Sequence, residues 1–257
     1  MKAEKKPSLS PSKISTFLAC PIKYYHTYLN PSARWFLRSK SYYSFGQTLH
    51  KVLERFYDAS DTGVTTDAEA VTAVEENWLA AGFDTLDAMT EAQCEGKAII
   101  SEYLESVREE EESKTTIGVE IALKMEFGEF VLVGRVDRLA EWDDGTLEII
   151  DYKSQRGSVS EEGIKNDLAL GCYQLLVRQH YPGRRVVASL HALSPSARAT
   201  YGFNDDDLAE FNDDLQTVGR LIVGKNWEEV FPVKKPICER CDFVVLCKRD
   251  PRFSNPE

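Results

Sequence analysis

Three residues near the middle of the chain have the types and spacing of a hydrolytic metal site. Asp137 lies in an apolar run over 130–140, Asp151 and Lys153 in or just after a second run over 146–152, and Asp143-Asp144-Gly145 separates the runs. An Asp-Gly pair between two such runs signals a β-hairpin, because its turn needs residues that tolerate positive φ. Residues two apart on a strand share a face, so Asp151 and Lys153 project together, and a suitable register brings Asp137 opposite them. Carboxylates and an amine on one sheet face are costly to bury without partners. A divalent cation would neutralise the acids, leaving the lysine to act on a water or a phosphate. That is the arrangement of metal-assisted phosphodiester hydrolysis. The same spacing also suits a solvated hairpin whose acids simply face water.

Four segments, in this order along the chain, decide between the two. They are Gly46-Gln47-Thr48-Leu49-His50, Gly134-Arg135-Val136-Asp137-Arg138, Ile150-Asp151-Tyr152-Lys153-Ser154 and Tyr173-Gln174-Leu175-Leu176. Together they resemble the PD-(D/E)XK nuclease superfamily, specifically its RecB-like branch. The resemblance implies an α/β fold with a restriction-endonuclease-like core, a mixed central sheet flanked by helices. It implies that His50, Asp137 and Asp151 hold Mn²⁺ or Mg²⁺, that the Tyr152 carbonyl adds a ligand, and that Lys153 and Gln174 join Asp137 and Asp151 in catalysis. An imidazole beside carboxylates suits Mn²⁺ better than an all-oxygen site does. A glutamate on the first core strand is frequent in the family, which makes Glu120 a further candidate acid. A tyrosine normally follows the glutamine by four residues; here that position is Arg178, a side chain suited to phosphate.

The chain has six cysteines. Cys238, Cys241 and Cys247 are clustered, and Cys20, followed by proline, is distant. Clustered thiols in a chain without secretory features favour metal over disulfide. Zinc sites usually present two close pairs, whereas one distant cysteine with a C-terminal triplet resembles the iron–sulfur subset of the RecB-like branch, of the CRISPR-associated adaptation exonuclease and AddB nuclease-domain type. By that resemblance Cys20, Cys238, Cys241 and Cys247 bind a [4Fe–4S] cluster; zinc and a metal-free arrangement are the alternatives. Ligation would tie the two ends of the chain together, a long closure that restricts the unfolded state. Cys94 and Cys172 fall on predicted helices and read as buried free thiols.

The elements that position these groups follow from periodicity and punctuation. Ser10 or Ser12 with Pro11 starts a helix whose stripe is Ile14, Phe17 and Leu18, continued by Tyr24, Tyr25 and Tyr28. Residues 34–43 interleave Arg34, Arg38 and Lys40 with Trp35, Phe36, Tyr42 and Tyr43, a mixture suited to single-stranded nucleic acid and equally to a loop with inward-packed rings. A helix over 45–60 carries His50 beside a stripe of Leu49, Val52, Leu53 and Phe56, with Glu54 one turn on. Helices over 66–81 and 86–108 make 60–115 a helical insertion. Strands over 117–127, 130–140 and 146–152, a helix over 167–180, a final strand over 185–193 and a helix over 205–223 complete a catalytic core over 117–223. The expectation is a single nuclease domain over 1–257, with 1–45 and 225–257 joined as an iron–sulfur-stapled terminal lobe.

With 257 residues, 42% of them hydrophobic, the chain is long enough for one substantial core. No apolar run approaches the roughly 20 residues of a membrane span, and the N-terminal sequence lacks an apolar signal region, so a cytoplasmic protein without membrane contact is expected. The net charge is −11, but residues 1–55 hold ten Lys or Arg against Glu4 and Glu54. A basic segment on an acidic body can bind a phosphate backbone locally. The sequence holds no Gly-x-x-x-x-Gly-Lys-Ser/Thr loop, so it carries no P-loop helicase motor and is expected either to act alone or to supply the nuclease to a larger machine. The resulting expectation is a metal-dependent DNA exonuclease acting on single-stranded ends, in DNA repair, recombination or CRISPR spacer acquisition, with an integrase complex or a helicase as partner. The alternative from another class is a non-catalytic DNA-end-binding module.

Overall fold

The computed structural model describes residues 6–154 and 159–253; Lys2 and Lys5 of the basic segment lie outside them. The chain divides into two compact units, one of residues 39–125 and 134–212, the other of 1–38, 126–133 and 213–257. The fold is mixed α/β. Its sheet contains β1 (Ser8–Leu9), β2 (Lys114–Phe127), β3 (Phe130–Trp142), β4 (Leu147–Lys153), β5 (Val186–Leu193) and β6 (Ser196–Tyr201). The strand order is β1-β3-β4-β5-β6, with β2 also paired to β3. β3 and β4 are antiparallel, β4 and β5 parallel, and β5 and β6 antiparallel. The β3–β4 connection is the anticipated hairpin: Gly145 has φ +83, and the Asp144 carboxylate accepts from the Thr146 N–H at 2.8 Å.

In the first unit α3 (Ser41–Tyr57), α4 (Asp67–Glu76) and α5 (Leu86–Glu111) cover one face of this sheet. Leu49, Val52 and Leu53 of α3, Ala70, Ala73 and Val74 of α4, and Ile100, Tyr103 and Val107 of α5 share a core with Ala140, Ile150, Tyr152 and Leu193. The alternation of a strand sends Asp151 and Lys153 to the opposite face. There α7 (Leu168–His180), capped by the Asp167 carboxylate on the Ala169 and Leu170 N–H groups, packs on β4 and β5. A short α6 (Glu161–Lys165) precedes it, and α8 (Asp205–Val223) follows β6. β6 is a strand beyond 185–193, the stretch expected to be last; its residues are all half-buried and so carry no apolar alternation to announce it.

Helix α3 begins four residues before the expected 45, and α4 ends at Glu76 instead of continuing to 81. One packing arrangement accounts for both differences. The segment after α4 folds back on the start of α3: the Ser44 hydroxyl donates to the Ala81 carbonyl at 2.7 Å, and the Leu79 N–H donates to the Thr48 hydroxyl at 3.2 Å. Gly82, at φ +87, approaches so closely that a Cβ there would lie 2.5 Å from the Ser41 nitrogen. The first turn of α3 is thereby held, and Tyr42 and Tyr43 become helical.

The second unit contains α1 (Pro11–Ala19), α2 (Pro21–Tyr24), two further helical turns at Tyr25–Leu29 and Pro31–Phe36, and α9 (Val244–Cys247). Ser10 caps α1 through the Lys13 N–H. Ile14 and Phe17 are buried as expected, but Leu18 is 56% exposed, because the helix is a surface helix with a narrow inner stripe. Trp227 gathers the N-terminal rings: it stacks on Tyr24 at 5.4 Å and 10°, and meets Phe17 edge-on at 6.2 Å. Cys172 is buried; Cys94 is exposed, contrary to expectation, because it lies outside the inner stripe of α5.

Close packing at Gly219 of α8 tests this unit. A Cβ there would lie 2.1 Å from the Phe130 ring, whereas one at Gly128 would meet nothing within 4 Å. Gly219→Ala is expected to cost about 1–3 kcal/mol by overpacking and to lower the melting temperature by several degrees, while Gly128→Ala leaves it nearly unchanged in the same thermal melts.

Candidate active site

The residues that could do chemistry come together from α3, β2, β3 and β4. His50 is reached from the second half of α3, and its Nδ1 lies 3.4 Å from Asp137 Oδ2 on β3. Glu120 of β2 joins them: donor atoms of His50, Glu120 and Asp137 all lie within 4.8 Å of one another. Asp137 Oδ2 also accepts the Tyr152 N–H at 2.9 Å, which locks the end of β4 against β3. Next to this trio, Lys153 Nζ lies 2.6 Å from Asp151 Oδ2. Asp151 faces the ammonium group and is not part of the tight trio.

Glu120, a candidate acid by resemblance, departs from regular strand geometry. It has φ +49, within a strand, and is the one non-glycine residue with positive φ among those described. Such a kink turns a side chain out of the regular strand alternation, so periodicity alone cannot tell where it points. Its carboxylate also contacts Arg135 Nη1 at 3.3 Å.

The electrostatics are those of crowded acids. Burial pushes the Asp151 carboxyl up to about 6, Lys153 opposes that shift, and Asp137 adds to it. Glu120 is likewise raised, by burial first and then by Asp137 and Glu54. Burial by itself would lower His50, but Asp137, Asp151 and a hydrogen bond donated to the Tyr152 backbone outweigh it and the net shift is upward. Only a carbonyl can accept from the imidazolium, so the Tyr152 C=O points toward the same group. Lys153 is raised too, because Asp151 and other nearby acids overcome the effect of burial.

Two α7 side chains have partners within the fold. Gln174 is buried, with Nε2 directed at the Val186 carbonyl at 3.5 Å and Oε1 without a hydrogen-bond partner among the described residues. Its neighbour Tyr173 feels both carboxylates: burial raises its hydroxyl, followed by Asp151 and Asp137. Arg178 is engaged with Asp205 at 2.8 Å and the Phe203 carbonyl at 2.5 Å. Glu54 pairs with Lys51 at 2.9 Å. Sequence reasoning gave no role to Tyr173 itself or to Asp167, whose charge reaches both Asp151 and Lys153.

Behind β4, on the other sheet face, sits a buried polar cluster that fixes Tyr152. Arg138, 1% exposed, lies 3.5 Å from the centre of the Tyr57 ring, donates to Thr116 at 2.9 Å and pairs with Glu111. The Tyr103 hydroxyl meets His191 Nδ1 at 2.8 Å. Burial pulls His191 down to about 3, so it is neutral at physiological pH. Tyr152 packs edge-on against His50, Tyr103 and His191.

This constellation, on this sheet, coincides with a family pattern that matches residues 8–248. The chain belongs to the PD-(D/E)XK nuclease superfamily. Nucleases of this superfamily use divalent metals, and the donor set of His50, Glu120 and Asp137 suits one. Among solved structures, a "putative exonuclease" from Eubacterium rectale has a TM-score of 0.53 at 12% identity, covering 97% of this chain and 90% of that one. At that identity the likeness speaks for the fold. SSO0001 is also similar, with 13% identity, 96% and 88% coverage, and a TM-score of 0.38. No curated protein matches the chain.

The four cysteines anticipated as a group all belong to the second unit. Cys20 separates α1 from α2, Cys238 sits in the turn Pro236–Arg240, Cys241 follows it, and Cys247 ends α9. They sense one another. Burial raises Cys247 to about 12, and Cys241, Cys20 and Cys238 add to that shift. Cys241 is raised in the same way, opposed by Phe243 N–H and Lys23. Cys238 Sγ accepts the Lys235 N–H at 3.4 Å. Among the described residues, no three of these sulfurs all lie within 4.8 Å of one another. A tetrahedral zinc thiolate site with bonds of about 2.3 Å would bring them to about 3.8 Å.

The positive φ at position 120 separates side-chain from backbone contributions. Alanine keeps the left-handed strain, roughly 1–2 kcal/mol for an L-residue, and glycine removes it. Glu120→Gly is therefore expected to melt higher than Glu120→Ala, by a few degrees in differential scanning calorimetry, although glycine is normally the weaker strand residue.

Proposed function

We propose that this chain is a divalent-metal-dependent DNA exonuclease acting on single-stranded ends and carrying a [4Fe–4S] cluster. The observation that carries the catalytic reading is the approach of His50, Glu120 and Asp137 to within 4.8 Å, beside the Asp151–Lys153 pair, in a chain of this superfamily. His50, Asp137 and Asp151, with the Tyr152 carbonyl, are the proposed Mn²⁺ or Mg²⁺ ligands, and Glu120 adds a carboxylate. When bound, the ion polarises the scissile phosphate and lowers the pKa of water.

The chain's own groups divide the remaining work. Lys153 keeps its proton, since nearby acids raise it. It therefore serves as a fixed cation for charge developing on phosphate oxygens, not as a base. Asp151 holds that ammonium in place at 2.6 Å. Gln174 is assigned the orientation of Lys153 or of the substrate. The buried cluster around Arg138 and Tyr152 keeps β4, and with it Asp151 and Lys153, from shifting.

Support for the cluster is the proximity by which Cys241, Cys20 and Cys238 each raise Cys247, and N–H groups directed at sulfur. Hydrogen bonds of that kind tune iron–sulfur centres. Support for single-stranded ends is the exposure of Trp35 (79%) and Tyr43 (59%) in the segment that interleaves rings with cations. The biological setting is repair, recombination or CRISPR spacer acquisition, with an integrase or a separate helicase as the co-purifying partner that identifies it.

Anaerobically purified protein is expected to be brown and to contain iron and acid-labile sulfide in equal amounts, and Cys20→Ser to lose both; a colourless zinc protein would overturn the cluster assignment. With Mn²⁺ and end-labelled single-stranded DNA, Asp151→Ala and Lys153→Ala should each cut about a hundredfold more slowly, or worse. Mn²⁺ should raise the melting temperature of the wild type, by mass action, and not that of Asp137→Ala. Wild-type protein that binds ends yet cuts nothing would make this an end-binding module.

A further inference from the structure

The second unit carries a basic cavity built from residues outside the candidate active site. Lys234 and Lys235 stand immediately before Pro236, whose fixed φ starts the turn Pro236–Arg240, and Lys248 follows α9. These two stretches fold together around a cavity of about 520 Å³, within the range of small-ligand sites. Its wall holds the three lysines, Glu239 as the single acid among the described residues, and the Phe253 ring. Of the four grouped cysteines only Cys238 reaches it, so it is a space beside the thiols and not the space between them.

The positive charges here are uncommitted. Lys234 and Lys248 have no carboxylate partner among the described residues. Asp250, close to Lys248 in sequence, is held by Arg252 at 2.8 Å. Lys235 donates to the Ala19 carbonyl at 3.2 Å. That contact uses one of the three protons of an ammonium group and neutralises nothing, so the cation is fixed in place with its charge intact. Ammonium groups gathered without counter-charge repel one another, and a bound anion relieves them.

A nucleotide is the anion that fits. Phe253 and Val244 give the cavity an apolar side next to the lysines. Inorganic phosphate would leave that side empty, whereas a nucleotide fills both, its phosphate on the cations and its base on the ring. The alternation of cation and ring continues in the neighbouring residues. Arg249 lies 5.9 Å from the centre of the Phe36 ring, and Arg34 lies 5.0 Å from that of Trp35, which is 79% exposed. Such a mixture holds unpaired strands, because a duplex hides its base faces.

We infer that this cavity takes one nucleotide of an unpaired nucleic-acid strand, with the ammonium groups of Lys234, Lys235 and Lys248 on phosphate and the Phe253 ring on a base. This deepens the nuclease reading and rests on it for the choice of nucleic acid as ligand. The site contributes affinity and not chemistry, so it lowers KM and leaves kcat alone.

The test uses the full chain, with Mn²⁺ withheld so that nothing is cut, and the anisotropy of a fluorescent single-stranded oligodeoxynucleotide at several salt concentrations. Lys234→Ala/Lys248→Ala should bind about tenfold more weakly at low salt, and its plot of log affinity against log salt should flatten by roughly 0.7 per lysine removed. Phe253→Ala should lose about tenfold with the slope unchanged, since stacking releases no counterions. Lys234→Arg/Lys248→Arg, which keeps the charge, should bind like wild type. Lys124→Ala/Lys225→Ala makes the same change of net charge at exposed residues elsewhere and should also bind like wild type; an equal loss there reduces the effect to bulk charge and overturns the site. A loss in the Lys234→Ala/Lys248→Ala variant that comes with lower metal content or a lower melting temperature assigns these lysines to the thiol group and overturns it as well. Unaltered affinity and slope in that variant overturn the site and leave the nuclease reading standing if the protein cuts with Mn²⁺. Lysine-dependent binding by a protein that never cuts supports the site and removes the nuclease reading. Displacement of the oligonucleotide by millimolar deoxynucleoside monophosphate shows that a free nucleotide occupies the same cavity, and supports it too.

Discussion

Carboxylate crowding at one end of the sheet is the constraint on which the site depends. Asp137 is its centre. It lies 3.4 Å from an imidazole nitrogen, accepts a main-chain N–H from β4, and raises both Asp151 and Glu120. Like charges held this close oppose ionisation, and a fold selected for stability alone would not assemble them. His50 and Lys153 offset part of the repulsion and are themselves raised by it. A divalent cation would offset the rest, which is the physical reason the donor set of His50, Glu120 and Asp137 suits one.

Rigidity comes from the far side of β4. Tyr152 alternates with Asp151 and Lys153, so the strand that presents the acid and the amine also plants a ring among Tyr103, His191 and His50. Arg138, buried on the neighbouring strand, is held by Thr116, Glu111 and the Tyr57 ring. Removing one member of such a network leaves a buried charge without its partner, which is why such clusters specify one arrangement of the strands above them. Helices α3 and α5 supply Tyr57 and Tyr103, so the helical segment before β2 supports the strand that presents Asp151 and Lys153.

Much of this was legible from residue order because it rests on local rules. The Asp-Gly turn, the alternation of Asp151, Tyr152 and Lys153, the Ser10 cap and the stripe of α3 each depend on neighbours within a few positions. Family resemblance added His50, which no local rule singles out. Illegible were the features set by distant contacts. The early start of α3 comes from the segment around Ala81 and Gly82, and it decides that Tyr42 and Tyr43 are helical and exposed. Leu18 and Cys94, each apolar by type, lie outside narrow inner stripes.

The amino-acid sequence by itself determined the α/β class, the hairpin that carries Asp137, Asp151 and Lys153, and the superfamily, because periodicity and motif spacing are properties of consecutive residues. The tertiary structure decided which acids meet. It turned Glu120 out of strand alternation at φ +49, brought His50 to Asp137, directed Arg178 to Asp205, and placed Tyr173 where it feels both carboxylates. Those outcomes depend on strand register, a backbone kink and helix packing. Each is settled by residues far apart in the chain, so no window of sequence contains it.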